Sequence, residues 1–386
     1  MIATARDLLE QADRAAASGD LRAAASSLEQ AVSLKDDDLG LWMKLAAVQR
    51  AAGDVKGALA AVHRALAIAP LDFMALLMRA SLLDRLADPD ANLAWSHALA
   101  QRPSGDLPPQ VASVVAEADR RVTEWTNARE AAAKAAMSDA EAAADDEQRA
   151  RMARFRSNAL RRTRHYHSEP TEFHYPGLVE REFHPRRCFP WLSDLEAATD
   201  LLTAELTAVM SAERAELVPY IQYDDHLPLE QWRPLNKNVD WTAIHLLQNG
   251  DVVEANARLC PGTMELLNHI PQPQIPGASP NAMFSLLAPR TAIPPHVGVN
   301  NARLVCHLPL IVPEGCWFRV GAETRYWQRG EAFVFDDTME HEALNPTDEL
   351  RVVFIIDVWH PELSDPERRA VAAMVGASQG IQSGGL

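Results

Sequence analysis

The chain of 386 residues has four cysteines, Cys188, Cys260, Cys306 and Cys316, and no CxxC pair. That excludes a disulfide framework and leaves free thiols as the expectation, with Cys306 and Cys316 able to be neighbours on adjacent strands. Long apolar runs are missing as well: no stretch reaches about 18 uninterrupted apolar residues, so no membrane-spanning helix is expected. The first residues, "MIATARDLLEQADRAAASGD", carry charges throughout and lack the apolar centre of a secretion signal, which reads as a cytoplasmic protein. Basic charge is in deficit: 37 Lys and Arg face 53 Asp and Glu, a formal net charge of −16. Such a chain is repelled by polyanions, so neither nucleic acid nor a membrane surface is expected as a partner. The one basic stretch, "RARMARFRSNALRRTRH", has no interleaved aromatics and reads as a solvated helix face.

What is present falls into two halves. Residues 1 to about 155 are rich in Ala, Leu, Arg, Asp and Glu, whereas residues 166 to 363 hold most of the Pro, Trp, Phe and His. In the first half Gly19, Ala24 and Ala31 recur 34 residues later as Gly53, Ala58 and Ala65, and a degraded third copy has Ala87, Asn92 and Leu99 near the equivalent places. Glycine suits a tight turn between helices, and alanine lets two helices approach closely, so the pattern describes stacked helical hairpins. It resembles the tetratricopeptide repeat. The hairpins are either a plain Ala-rich array or a small solenoid whose concave face holds a peptide or docks on its neighbour domain.

Residues 105–165 read as a helical connector that starts at Pro108 and Pro109 and breaks at Ser138-Asp139. After it, "LSDLEAATDLLTAELTAVM" predicts an amphipathic helix capped by Ser193. Short alternating or apolar runs follow, among them "WTAIHLLQ", "MFSLLAP", "RLVCHLPLIV", "CWFRVG" and "LRVVFIIDVW", separated by turn residues. Runs so spaced predict a sandwich or jelly roll. The expected architecture is therefore multidomain α plus β. It comprises helical repeats over 1–104, the connector over 105–165, a jelly-roll or cupin-like double-stranded β-helix over 166–364, and a C-terminal helix and flexible tail over 365–386.

Strand alternation sorts the chemistry. In "NARLVCHLPL" Arg303, Val305 and His307 share one face, and Leu304, Cys306 and Leu308 the other. At the start of the last strand Arg351 is placed to look inward, where a buried guanidinium needs an anion. His296 and His341 stand at strand ends and can converge on a divalent metal if the strands lie side by side. The ordered series Ser285, His296, Arg303, His307, His341, Arg351 joins candidate ligands to a candidate anion site. Where two-histidine, one-carboxylate iron sites place their acid, two residues after the first histidine, this chain has Gly298.

The segment from "HVGVNNARLVCHLPL" through "FDDTMEHEALNPTDELRVVFIIDVWHPEL", with looser likeness through "FSLLAP", "LCPGTMELLNHIP" and "FHYPGL", resembles the aspartyl/asparaginyl β-hydroxylase family. That resemblance covers roughly residues 170–363. It implies an oxygenase dependent on Fe(II), 2-oxoglutarate and O2 that hydroxylates the β-carbon of Asp or Asn residues in a peptide or protein, releasing succinate and CO2. It further implies His296 and His341 as metal ligands. Arg351 and Ser285 would take the distal carboxylate of 2-oxoglutarate, and His307, with Arg303 on the same strand, would stand by the proximal one. The missing acid at Gly298 agrees with the family. Val305 departs from it, because animal members have a second arginine there. Trp241 is either core or a border of the substrate cleft, and Asp357 and His360 are expected to be structural. Three alternatives stay open: a non-catalytic repeat and jelly-roll binding protein, an oxygenase acting on a free amino acid or other small molecule, and a zinc hydrolase. The last lacks a third protein ligand and a general base at metal-site spacing.

Overall fold

The computed structural model describes residues 4–211, 218–224, 226, 232–275 and 277–379. The chain divides between Ala143 and Ala144 into two compact units. The first holds α1 (Ala5–Ala17), α2 (Leu21–Leu34), α3 (Leu39–Ala51), α4 (Val55–Ile68), α5 (Phe73–Arg85), α6 (Ala91–Ala100) and the 34-residue α7 (Pro109–Ala142). Each of the first two hairpins turns on a glycine in the left-handed region, Gly19 at φ +85 and Gly53 at φ +86. In both, the next aspartate caps the following helix: Asp20 accepts from the Ala23 N–H, and Asp54 from the Gly57 N–H. Ala24, Ala31, Ala58 and Ala65 are fully buried where these helices meet, which explains the small residues in the repeat.

The third hairpin makes the same turn at Ala87, with φ 52. An L-residue there costs about 1–2 kcal/mol that glycine avoids, partly offset by glycine's larger loss of chain entropy. Ala87→Gly is expected to stabilise this unit by about 1 kcal/mol in urea unfolding. An unchanged or lowered midpoint would contradict that.

Pro109 begins α7, in the first turn, where its missing N–H costs no intrahelical hydrogen bond. The helix runs through Ser138-Asp139, the expected break, and a new one begins only after Asp145 accepts from the Gln148 N–H. The expected connector is thus shared between the two units.

The second unit opens with α8 (Asp146–Ala159), then α9 (Leu192–Ala197) and α10 (Thr199–Met210). The single helix expected over 192–210 is two, separated at Ala198, and Ser193 lies inside the first turn of α9 rather than at its cap. Then come β1 (Val218–Pro219), β2 (Trp241–Gln248), β3 (Asp251–Val252), α11 (Glu254–Ala257), α12 (Pro261–Leu267), β4 (Ala282–Leu287), β5 (Thr291–His296) and β6 (Arg303–Ile311). The chain continues through β7 (Trp317–Val320), β8 (Glu323–Tyr326), β9 (Phe333–Phe335), β10 (His341–Asn345), β11 (Arg351–Trp359) and α13 (Asp365–Gln379). The tail beyond Gln379 lies outside the described residues.

The strands form two antiparallel sheets. The larger has the order β1-β2-β4-β11-β6-β9 with β3 on β2, and the smaller β5-β10-β7-β8. One face of the larger sheet, with Phe284, Leu304, Cys306, Leu308 and Phe354, packs on Leu192, Leu195, Leu202 and Leu206 of α9 and α10. Each of these buried leucines contributes about 1.5–3 kcal/mol. The other face, with Met283, Val305, Val353 and Ile355, packs on Ile293, Phe318, Val320 and Ala343 of the smaller sheet. Cys306 therefore lies on the helix side and Cys316 on the inter-sheet side, so they are not neighbours as the spacing had suggested. All four thiols are free.

Candidate metal and anion site

The site forms between the sheets. Strand β5 contains Pro294 and Pro295 and reads poorly as a strand, but it is the edge of the smaller sheet, where proline's missing donor is tolerated. Its last residue, His296, is register-paired with His341, the first residue of β10. Their ring centroids are 3.9 Å apart. Each ring donates from Nδ1 to the carbonyl two residues earlier, His296 to Pro294 at 2.8 Å and His341 to Met339 at 3.0 Å. This backbone bond fixes the tautomer and leaves each Nε2 lone pair without a partner among the described residues. Burial pushes the His296 pKa down to about 4, and burial together with the charge of His296 holds His341 well below the ordinary range. Both are neutral at pH 7, the form that ligates a metal.

Gly298 leaves room here for the Asp337 carboxylate. A Cβ would stand 2.2 Å from Asp337 Oδ2, and the Gly298 N–H donates to the Asp337 carbonyl at 2.6 Å. Any side chain at 298 would have to displace that carboxylate from Arg303, so position 298 supplies no acid, and among the described residues no third His, Cys, Asp or Glu completes a metal cluster with the two histidines. Asp337 is the nearby acid. Its Oδ2 accepts from Arg303 at 2.6 Å and its Oδ1 is buried without a partner.

Arg351 is 2% exposed and forms no ion pair among the described residues. Its guanidinium lies over the Trp327 ring at 4.6 Å and reaches the Ser285 hydroxyl and carbonyl only at 3.4 Å, while its Nε has no partner. Burial lowers its pKa to about 10. A buried cation of this kind, with a hydroxyl beside it, fits an incoming carboxylate. His307 is on the same side of the sheet, ringed by Phe318, Trp327, Phe333 and Phe335, with Nδ1 unpartnered. Burial and then Arg351 hold it neutral.

Arg303 departs from the sequence reading. Its guanidinium is already divided between Asp357 at 2.7 Å and Asp337 at 2.6 Å, so it has no fork left for a co-substrate carboxylate. The shared strand face was right, but strand periodicity cannot say which acids the fold brings opposite. Asp357 also accepts from the Ser279 hydroxyl and from the Asn281 backbone and side chain, bracing β4 against β11. His360 packs edge-on against His184 at 5.0 Å, and its backbone N–H donates to the Ala302 carbonyl. Both positions have the structural surroundings expected of them.

Trp241 is buried, yet it belongs to the site: its indole N–H donates to Ser285 Oγ at 3.1 Å. Trp232 stands 4.9 Å from the His296 ring and Tyr220 stacks on Trp241. Sequence reasoning passed over Trp232, Tyr220 and Asp337, because they lie in irregular segments outside the strands, with no periodicity to orient them.

Two sheets enclosing two imidazoles with Nε2 atoms bare among the described residues, and an arginine with no counter-ion among them, define a β-sheet protein with an inward two-histidine, one-arginine centre. Residues 196–361 match the aspartyl/asparaginyl beta-hydroxylase family. The human aspartyl/asparaginyl beta-hydroxylase is 33% identical over 187 residues, 48% of this chain and 24% of that protein. The ornithine lipid ester-linked acyl 2-hydroxylase of Rhizobium tropici is 32% identical over 204 residues, 52% of this chain and 68% of that one. The chain belongs to the aspartyl/asparaginyl β-hydroxylase family, and it spans about a quarter of the length of the human and mouse β-hydroxylases. The Arabidopsis OM64 TPR domain is similar to 31% of the chain, at a TM-score of 0.27 and 17% identity, with 95% of that domain covered. Among the described residues no helix is long and apolar enough to cross a membrane.

Proposed function

We propose that the second unit is an Fe(II)- and 2-oxoglutarate-dependent oxygenase with a double-stranded β-helix core. It hydroxylates the β-carbon of Asp or Asn residues in a peptide or protein and releases succinate and CO2. The observation that carries this reading is the register pairing of His296 with His341, both bare at Nε2, beside Arg351, which has no counter-ion among the described residues. His296 and His341 hold the iron, which when bound supplies the O2-dependent oxidation of a C–H bond. Arg351 and Ser285 bind the far carboxylate of 2-oxoglutarate, and His307 stands by the near one. Trp232, Phe318 and Phe335 wall the two histidines and exclude water, which keeps the oxidising power on the substrate. The helical repeats help to present the polypeptide, and the free thiols suit a cytoplasmic setting.

The similarity to the acyl 2-hydroxylase and the aromatic wall at His296 favour a second reading, an apolar acyl substrate. The test is anaerobic loading with Fe(II), then O2 and 2-oxoglutarate, with succinate measured alone, with Asp- and Asn-containing peptides, and with an ester-linked acyl lipid. Iron-dependent succinate that rises with peptide and falls to background in His341→Ala is expected. A rise with the lipid alone favours the second reading. Equal succinate in wild type and His341→Ala removes the oxygenase assignment.

A further inference from the structure

The anion site around Arg351 has a donor that neither strand periodicity nor the family resemblance had marked. Tyr220 follows directly on β1 and is half-buried. Its ring stacks on Trp241 with centroids 4.0 Å apart and planes within 7°, and its backbone N–H donates to the Trp241 carbonyl at 2.8 Å. The same Trp241 donates its indole N–H to Ser285 Oγ, and that oxygen also faces Arg351 Nη1 at 3.4 Å. One indole thus positions a phenol by stacking and a serine by hydrogen bonding.

Ser285 Oγ accepts from the Trp241 N–H and faces Arg351 Nη1 at 3.4 Å, so it acts as an acceptor toward both and has its own proton left to give. The Tyr220 hydroxyl has no hydrogen-bond partner among the described residues, and it lies within electrostatic reach of Arg303, Asp357, Asp337 and Arg351. Burial raises its pKa to about 12, so it is a neutral O–H at any working pH. A guanidinium without a counter-ion and two hydroxyl protons without acceptors among the described residues are complementary to an acceptor-only group. A carboxylate, with about four lone-pair sites, accepts all three.

We propose that Tyr220 is a binding residue for the anionic co-substrate, its O–H donating to one carboxylate of 2-oxoglutarate alongside the Arg351 guanidinium and the Ser285 O–H, with Trp241 as the positioning residue for both hydroxyls. This rests on the oxygenase reading above. It also accounts for how a site with a single uncommitted arginine among its described residues holds a dianion, since Val305 offers no charge and Arg303 is spent on Asp337 and Asp357.

Tyr220→Phe keeps the stacked ring and deletes only the O–H. The full chain, loaded anaerobically with Fe(II), is titrated with 2-oxoglutarate and followed by quenching of tryptophan fluorescence, with Arg351→Met as reference and thermal unfolding in parallel. The expected result is about tenfold weaker 2-oxoglutarate binding, as for a hydrogen bond to a charged group, at an unchanged melting temperature. In turnover, KM for 2-oxoglutarate rises by the same factor with kcat little altered. Wild-type affinity in Tyr220→Phe, while Arg351→Met has lost binding, overturns the role of Tyr220 and leaves the oxygenase reading standing. An affinity loss that tracks a fall in melting temperature marks Tyr220 as merely structural and also overturns it. A wild-type chain that does not bind 2-oxoglutarate removes both.

Discussion

Arg351→Met should bind 2-oxoglutarate at least about 100-fold more weakly and yet melt at a higher temperature than the wild type. The binding loss follows from removing charge-assisted hydrogen bonds to a carboxylate, each contributing about 1.5–3 kcal/mol. The gain in stability follows from the ligand-free site. Arg351 is 2% exposed with no ion pair among the described residues, and a buried charge costs several kcal/mol. Its stacking over Trp327 at 4.6 Å returns only about 2 kcal/mol. The difference favours an unbranched apolar chain of similar length by about 1–3 kcal/mol, a few degrees for a domain of this size. Isothermal titration and calorimetric melting of the two proteins decide it. A variant that is destabilised and still binds would mean that the arginine is a framework residue and the anion site lies elsewhere.

Arg303→Met should do the opposite, unfolding the domain more easily by about 3–5 kcal/mol, because it leaves two buried carboxylates without their shared cation. Asp337 and Asp357 have side chains 9% and 3% exposed. Burial already raises the pKa of Asp337 against the opposing pull of Arg303, and removing Arg303 raises it further. A carboxyl whose folded pKa lies above its unfolded value supports the fold when protonated, below its unfolded pKa, and this support is lost as pH rises through the folded pKa. The deficit of Arg303→Met relative to wild type is therefore larger at pH 8 than at pH 5. Urea denaturation at the two pH values measures it, and a deficit independent of pH would place the damage in packing instead.

These two arginines show where reading the chain succeeds and where it stops. Strand alternation places Arg351 looking inward, and it is buried there; it also puts Arg303 on the face of Val305 and His307, but not opposite the acids that hold it. Alternation is a local property of the backbone, so it also sorted Leu304, Cys306 and Leu308 from Val305 and His307 onto the faces they occupy. The 34-residue period of Gly and Ala gave the hairpins of the first unit, because turn conformation and close helix approach depend on residues within the repeat. Its third copy was recognisable even though Ala87 makes the turn without glycine. The break at Ser138-Asp139 and the single helix over 192–210 failed. Capping residues and amphipathic spacing state only what a helix permits, and Asp145 and the bend at Ala198 decided the actual ends.

The sequence by itself determined the two-part architecture, most of the strands, the pair of histidines and the glycine that excludes an acid beside them. Only the tertiary structure decided which charges are spent and which are free. Arg303 is neutralised by acids 34 and 54 residues away, while Arg351 meets none among the described residues. The structure also brought β5 and β10 into a register that sets His296 against His341, and laid Tyr220 on Trp241 beside Ser285. The reason is range: side-chain direction along a strand is fixed by the adjacent peptide units, whereas counter-ions, register partners and stacking partners come from distant segments whose meeting is set by the packing of whole sheets.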